Sequence, residues 1–303
     1  MSAEAVAPAS ACQRRVPILE NEPIAKGTYR LRLGDPTLAR AIRPGQFVMV
    51  RPAEENADDP LLGRPFALYD VVVAADGNPI AVDLVYIVVG RGTAALARRR
   101  AGETLSIWGP LGNGFGSPPT GPVIFVAGGI GQTPFLALGR WWLGKTSYGK
   151  AEDGTGTSLE PTASGFATSA ALLYGVRTAA LLAGVEDFQR AGIEVEIATD
   201  DGSAGAHGFV TDLLARRLEH GERPDRIVGC GPVPMLAALA RLVDRYQIPC
   251  DVSLENHMAC GFGACFSCVV PIRQADGATD LRRVCVEGPI FSAQSVDWSA
   301  MNH

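Results

Sequence analysis

The sequence predicts a multi-domain chain: an N-terminal antiparallel β-barrel, an α/β domain built on a parallel sheet, and a small C-terminal domain. Three observations carry this. The first third alternates apolar and polar residues in short runs separated by turn signals. The middle repeats a strand, a Gly-containing turn and a helix. The last stretch gathers Cys260, Cys265, Cys268 and Cys285 around tight glycines.

Bulk properties agree. With 303 residues the chain exceeds one small core, so two or three domains are expected. Net charge is −5, from Lys+Arg 27 against Asp+Glu 32, which gives no electrostatic case for nucleic acid or an anionic membrane. No apolar run is long enough to span a bilayer. Met1 to Ala11 lacks a charged start and an apolar stretch, so no signal peptide is read there. Cys 7 without an export signal points to a reducing cytoplasm. Gly 35 and Pro 21 imply many tight turns, favouring strands and nucleotide-binding loops over a helical bundle.

Met1 to Gln13 reads as a frayed leader, with Cys12 a free thiol of no function. From Pro17 the pattern is strand-like, and Tyr29, Leu31 and Leu33 share one face. Strands follow over 46–51, 64–73 and 80–89, the last two joined by a hairpin turn at 75–78. Two pieces exceed strand grammar. Arg64-Pro65-Phe66-Ala67 puts an arginine at a strand start; it either holds a pyrophosphate beside a flavin or is a solvated edge residue. Val85-Tyr86-Ile87 runs into Gly90-Arg-Gly92-Thr93, where Thr93 suits the N-cap of a short helix. That turn either receives a phosphate or simply joins strand to helix. The corner Gly109 to Phe115 is tight, with Phe115 either packed or facing a cofactor.

Residues 121–127 form a continuous apolar run, the mark of a strand buried in a parallel sheet. The turn Gly128-Gly129-Ile130-Gly131-Gln132 follows, then a helix over 135–143; this is phosphate-cradle grammar without the strict G-x-G-x-x-G fingerprint. Residues 144–169 read as a mobile surface insertion. Alternation resumes with strands over 170–175, 193–199 and 226–230, and helices over 179–191, 209–218 and 233–246. Ligands of such sheets bind at the carboxyl ends of strands. Those ends carry Asp200-Asp201 and Cys230-Gly231-Pro232. The two aspartates either bond ribose hydroxyls or make an ordinary turn; acidity there favours NAD over NADP, whose 2′-phosphate would want arginine. Cys230 reads as a small residue beside a nicotinamide rather than a nucleophile, since no histidine has an evident partner position.

Cys260, Cys265, Cys268 and the distant Cys285 have the C-x4-C-x2-C…C spacing of a plant-type [2Fe–2S] cluster. Such a loop bends sharply and brings its amides close to inorganic sulfide, which Gly261 and Gly263 allow. Structural zinc usually pairs cysteines as C-x2-C…C-x2-C, and disulfides would be unusual for three cysteines within nine residues.

Taken in order, these motifs resemble the ferredoxin–NADP reductase superfamily, and within it the electron-transfer subunits of class 1B dihydroorotate dehydrogenases. The resemblance runs from Val16 to Pro289. It implies an FAD-binding barrel over 14–118, an NAD-binding domain over 119–247 and a [2Fe–2S] domain over 248–303. Arg64, Pro65, Phe66, Ala67, Val85, Tyr86, Ile87, Gly92 and Thr93 match its FAD contacts. Gly128, Gly129, Ile130, Gly131, Gln132, Cys230, Gly231 and Pro232 would face NAD. Cys260, Cys265, Cys268 and Cys285 match its cluster ligands. The implied role is electron relay from a catalytic dihydroorotate dehydrogenase subunit, in a heterotetramer of two chains each, through cluster and FAD to NAD. No acid–base residue is required on this chain. His257 adjoins the cluster loop; His207, His220 and His303 show no ligand spacing. Two positions depart from the pattern: Ala67 stands where a hydroxyl is common, and Ile87 where a polar or basic residue is. Rival readings are a diaphorase-type subunit of a sulfhydrogenase or of an NADH-dependent ferredoxin:NADP oxidoreductase, a stand-alone NADH:acceptor reductase, and a zinc-bearing scaffold.

Overall fold

Six strands close on themselves before the chain builds anything else. In this computed structural model, which describes residues 11–53, 59–149 and 165–301, they are β1 (Cys12–Ala25), β2 (Thr28–Leu33), β3 (Phe47–Arg51), β4 (Arg64–Val73), β5 (Pro79–Ile87) and β6 (Thr104–Leu111). Helix α1 (Pro36–Ala41) follows β2 and helix α2 (Arg91–Leu96) follows β5. The barrel order is β1-β2-β5-β4-β3-β6, with every neighbouring pair antiparallel. The alternation that marks these strands sets their inward faces: Leu31, Leu33, Leu68 and Leu84 are all fully buried. β1 starts earlier than its local pattern suggests, because Cys12 pairs with Gly109 of β6, a partner far away in sequence. The leader's first ten residues lie outside the described part. Helix α2 is also shifted. Thr93 lies inside it rather than at its cap, and its hydroxyl reaches back to the Val89 and Gly90 amides at 3.0 and 3.3 Å.

The second unit is a seven-stranded sheet. Its elements are β7 (Val123–Gly128), α3 (Phe135–Trp142), β8 (Ala170–Val176), α4 (Val185–Arg190), β9 (Glu194–Thr199), β10 (Ala206–His207), α5 (Val210–Glu219), β11 (Arg226–Cys230), α6 (Val233–Tyr246) and β12 (Cys250–Ser253). A hairpin of β13 (Val269–Arg273) and β14 (Thr279–Arg283) follows, and β15 (Ile290–Ser292) returns to the sheet. The order is β10-β9-β8-β7-β11-β12-β15, parallel from β10 to β12 and antiparallel at β15. The unbroken apolar run of β7 is explained by its central place, with helices on both faces. From β7 the chain turns to β8 and β9 on one side, then returns to β11 on the other. A crevice therefore opens above the carboxyl ends of β7 and β11. The C-terminal segment expected from residue 248 lends two strands, β12 and β15, to this sheet.

Two sequence expectations are corrected. The helix anticipated over 179–191 is a 3-10 turn at Ala179–Leu181 followed by α4. Gly184 interrupts it with φ +71, and a Cβ there would meet the Tyr69 hydroxyl oxygen at 2.3 Å. The surface insertion is anchored at its near end. Tyr148 is buried, and Lys145 donates to the Ala191 carbonyl at 2.6 Å. Residues 150–164, the bulk of that insertion, lie outside the described residues.

Neighbouring residues of β4 fasten barrel to sheet. The Tyr69 hydroxyl donates to Asp187 at the start of α4 at 2.8 Å. The Asp70 carboxylate accepts from Tyr148 at 2.8 Å, from the Val71 amide at 2.9 Å and from Arg140 of α3. Burial pushes the Asp70 carboxyl above its ordinary range, against the pull of Arg140 and Tyr148. A carboxyl whose folded pKa is raised contributes stability in full below its unfolded value, and that contribution fades as pH rises through the raised value. Arg140 limits this loss. Arg140→Leu is therefore expected to cost about 1–3 kcal/mol at neutral pH, less than a fully buried pair because Arg140 is partly solvated. The cost should shrink as pH falls and Asp70, its carboxyl raised by burial, takes up its proton. Denaturant melts of both proteins at several pH values check the magnitude and the slope.

Candidate functional site

Three candidate sites stand out, and each is assembled by elements whose local sequence explains it. The first is at the start of β4. A Cβ on Gly92 would lie 3.0 Å from Arg64 Nε and 3.2 Å from its Cζ, so the guanidinium rests against the first turn of α2. Its Nη1 donates to the Leu62 and Gly63 carbonyls, each at 3.0 Å, which holds the fork in place. A fixed guanidinium beside helix amides fits a diphosphate. Phe66 and Tyr86 belong to the barrel interior, with ring centroids 5.5 Å apart. The Tyr86 hydroxyl donates to Asn21 at 2.9 Å. Pro65, Ala67 and Ile87 are half-buried, while Val85 is buried. The Thr93 hydroxyl is occupied in closing its own helical turn. Phe115 is packed rather than open, edge-on to Trp142 at 6.2 Å.

The second site is the crevice at the sheet's switch point. Ala127 pairs with Cys230, which brings the turn 128–132 against residues 230–232. The approach is close. A Cβ on Gly131 would lie 2.3 Å from the Cys230 carbonyl oxygen, and one on Gly128 would meet Pro232 Cδ at 2.7 Å. Gln132 is fully buried, and among the described residues neither atom of its side-chain amide has a hydrogen-bond partner. Buried amides are almost always satisfied, so this crevice has polar capacity to offer a bound dinucleotide. The Cys230 thiol is pushed well above its ordinary range by burial and then by the Glu255 charge, which keeps it protonated and unfit as a nucleophile. Asp200 and Asp201 lie at the end of β9, two strands from β7 and thus about 10 Å away. Asp201 caps its own turn, accepting from the Ser203 amide at 2.9 Å and from its hydroxyl.

The third site is the cysteine loop between β12 and β13, completed by Cys285 after β14. The four thiols fall into two neighbouring pairs. Cys268 and Cys285 are buried side by side; Cys265 is exposed, 3.2 Å from the Ser267 hydroxyl and near Cys260. The Ser267 hydroxyl and then Cys260 pull Cys265 down to about 6, and neighbouring Cys285 pulls Cys268 down to about 6. Among the described residues no three His, Cys, Asp or Glu side chains close on a single ion. Two thiol pairs, each able to serve one of two irons, fit a [2Fe–2S] cluster and its four ligands. Gly261 and Gly263 have φ +80 and +89, the left-handed backbone that the loop's bends require.

Several supporting residues had no signal in the sequence. Trp108 Nε1 donates to the Cys260 carbonyl at 2.8 Å. Asn113 donates to the Glu287 and Ile290 carbonyls at 3.2 and 2.9 Å and accepts from the Ile290 amide at 3.0 Å. Glu287 accepts from Arg282 and Arg283, and Arg283 lies over the Phe266 ring at 4.9 Å. The Trp108 and Asn113 contacts join segments far apart in sequence, and only the three-dimensional arrangement reveals them.

Comparison with known proteins places this arrangement. Residues 255–297 match the family model described as the iron-sulfur cluster binding domain of dihydroorotate dehydrogenase B. The chain is 37% identical over 289 residues to the "Dihydroorotate dehydrogenase B (NAD(+)), electron transfer subunit" of Geobacillus kaustophilus, covering 94% of this chain and 98% of that one. It is 34% identical over 276 residues to the protein of the same name from Desulforamulus reducens, covering 91% and 94%. Among solved structures, that of the NADH-dependent reduced ferredoxin-NADP oxidoreductase superposes with a TM-score of 0.74 at 25% identity, over 94% of this chain and 90% of that one. The ferredoxin reductase in carbazole 1,9a-dioxygenase shares the fold, with a TM-score of 0.58 at 21% identity, over 80% of this chain and 68% of that one.

The tight meeting of Gly131 and Cys230 yields a direct expectation. Gly131→Ala drives a methyl into backbone that cannot give way. The KM for NADH should rise by roughly tenfold or more, a loss of about 1.4 kcal/mol or more, while bound FAD per chain stays constant. Steady-state kinetics with a flavin count checks both.

Proposed function

Because this chain belongs to the family of dihydroorotate dehydrogenase B electron-transfer subunits, we propose that its three sites work as one relay between a catalytic partner subunit and NAD. The observation that carries this reading is the paired arrangement of Cys260, Cys265, Cys268 and Cys285 beside a barrel whose Arg64 guanidinium rests on Gly92. In this reading residues 14–118 bind FAD, 119–247 bind NAD and 248–303 hold the cluster. Bound FAD exchanges single electrons with a one-electron cluster and a hydride with nicotinamide. The chain's own residues bind and orient. Arg64 and the first turn of α2 hold the pyrophosphate, Pro65, Ala67 and Ile87 border the flavin, and 128–132 with 230–232 receive the dinucleotide. Asp200, with Asp201 shaping the turn, favours the unphosphorylated ribose and hence NAD.

The partner is the catalytic subunit that oxidises dihydroorotate in pyrimidine biosynthesis, in a heterotetramer of two chains each. Its docking surface is the loop from Glu255 to Phe266, where Phe262 and Phe266 are 57% and 61% exposed beside the cluster ligands. We place the protein in the cytoplasm, where its seven free thiols would persist. A second reading, suggested by the superposition with the NADH-dependent ferredoxin-NADP oxidoreductase, keeps the same relay and changes the partner.

Anaerobically purified protein should show flavin and iron–sulfur absorption together, with two irons and one FAD per chain; a colourless or zinc-loaded protein sinks the reading. Mixed with its catalytic partner it should reduce NAD⁺ at the expense of dihydroorotate, and alone it should not. Stable association with a ferredoxin:NADP oxidoreductase chain instead would favour the second reading. Arg64→Ala removes the charged fork and should weaken FAD binding by about 1.5–3 kcal/mol, roughly ten- to a hundredfold in Kd. Fluorescence titration of the deflavinated protein measures this.

A further inference from the structure

The relay needs its flavin and its cluster at a fixed separation, and one side chain stands between the two sites. Trp108 is on β6, in register with Met49 of β3, and Met49 is in turn in register with Pro65 of β4, next to Arg64. The six-membered ring of the indole packs against Gly63, just before that anchor. A Cβ on Gly63 would meet ring atoms Cη2, Cζ2 and Cζ3 at 2.4, 3.0 and 3.2 Å. Its Nε1 donates at 2.8 Å to the carbonyl of Cys260, a member of the outer thiol pair. The next residue, Gly261, comes down on the same barrel wall, where a Cβ would meet Met49 Cγ at 2.6 Å and Leu111 Cδ1 at 3.2 Å.

We propose that Trp108 is a positioning residue for electron transfer, wedged between the flavin anchor at Gly63–Arg64 and the cluster ligand Cys260 so that it fixes the separation of the two centres. This rests on the relay reading above. The ring sets the spacing, because Gly63 leaves no room for it to shift toward the anchor. The N–H sets the orientation of the Cys260 peptide, and with it the field at the outer thiolates. The step concerned is simple to balance. One electron leaves flavin that NADH has reduced, and the oxidised cluster gains that electron.

The test is anaerobic stopped-flow reduction of the holoprotein by NADH, following flavin and cluster bands separately, for wild type, W108F, W108A and G63A. W108A removes the wedge, and G63A pushes a methyl into the ring without altering Trp108. In both, the ratio of cluster reduction rate to flavin reduction rate should fall severalfold, because electron tunnelling decays exponentially as the two centres move apart. W108F keeps most of the ring and loses the donor. It should slow transfer less, lower the cluster's potential and shift the g values of the reduced cluster. A W108A protein that keeps FAD and loses iron also supports the assignment, since the loop has then lost its anchor. Should W108A fail to fold, W108F and G63A decide. Wild-type rate ratios together with unchanged g values in those two variants overturn the assignment, because a tryptophan that only fills space would give that result. Failure of the relay reading itself would appear earlier, as missing flavin or cluster bands in wild type.

Discussion

A single asparagine fastens the redox parts to one another. Asn113 stands at the end of the barrel, and its side-chain amide donates to the Ile290 carbonyl and accepts from the Ile290 backbone N–H while also donating to the Glu287 carbonyl. Its own backbone amide donates to Gly288 at 2.6 Å. It thereby imitates a short strand pairing, across 174 to 177 residues of sequence, between the last barrel strand and the segment that follows Cys285. Four hydrogen bonds to three residues of one segment fix the clasp in one geometry. The Trp108 contact to Cys260 works beside it, and the second hydrophobic core runs from Met49 and Leu111 through to Cys268 and Cys285 without a break.

The other junction is of a different character. Tyr69 and Asp70 tie the barrel to α3 and α4 through charged and phenolic groups rather than through apolar packing alone. A buried carboxylate is a poor source of stability but a demanding one, since few relative placements of barrel and sheet satisfy Tyr148, Arg140 and Val71 together. The two units are thus registered at one end by polar bonds on β4 and at the other by the Asn113 clasp. The crevice above β7 and β11 and the Arg64 cradle are carried on the two registered bodies.

What was legible in the sequence follows the range of the interactions. β7 was readable because an unbroken apolar run has one natural place, the centre of a covered sheet. That the four cysteines form one group was readable because three of them share one loop; what brings the fourth to it, a bond from the Val284 amide to the Cys268 carbonyl, is seen only in space. Gly131 and Gly92 were readable as members of turn motifs, but the reason for each glycine, a carbonyl at Cys230 and a guanidinium at Arg64, emerged only in space. Trp108, Asn113 and the Asp70–Arg140 pair left no local trace, since their partners lie many tens of residues away. Tyr148 was obscured for another reason: it opens a segment whose Gly, Ser and Thr content resembles solvated loop, yet it is buried. The break at Gly184 was hidden because the residues flanking it suit a helix, and the Tyr69 hydroxyl that demands the glycine belongs to the barrel.

The return of β15 to the sheet has a consequence for how such a chain can be dissected or recombined. The cluster-bearing segment leaves the sheet after β12 and rejoins it as β15, so it is an insertion between two strands rather than an appended module. Cutting the chain before residue 250 would not liberate a plain flavin reductase. It would remove β12 and β15 from the sheet, leaving Ile227 and Val228 of β11 on an apolar edge with an unpaired row of amides and carbonyls, the form that invites edge-to-edge association. A transplant that respects the fold would carry the loop together with the strands on either side of it.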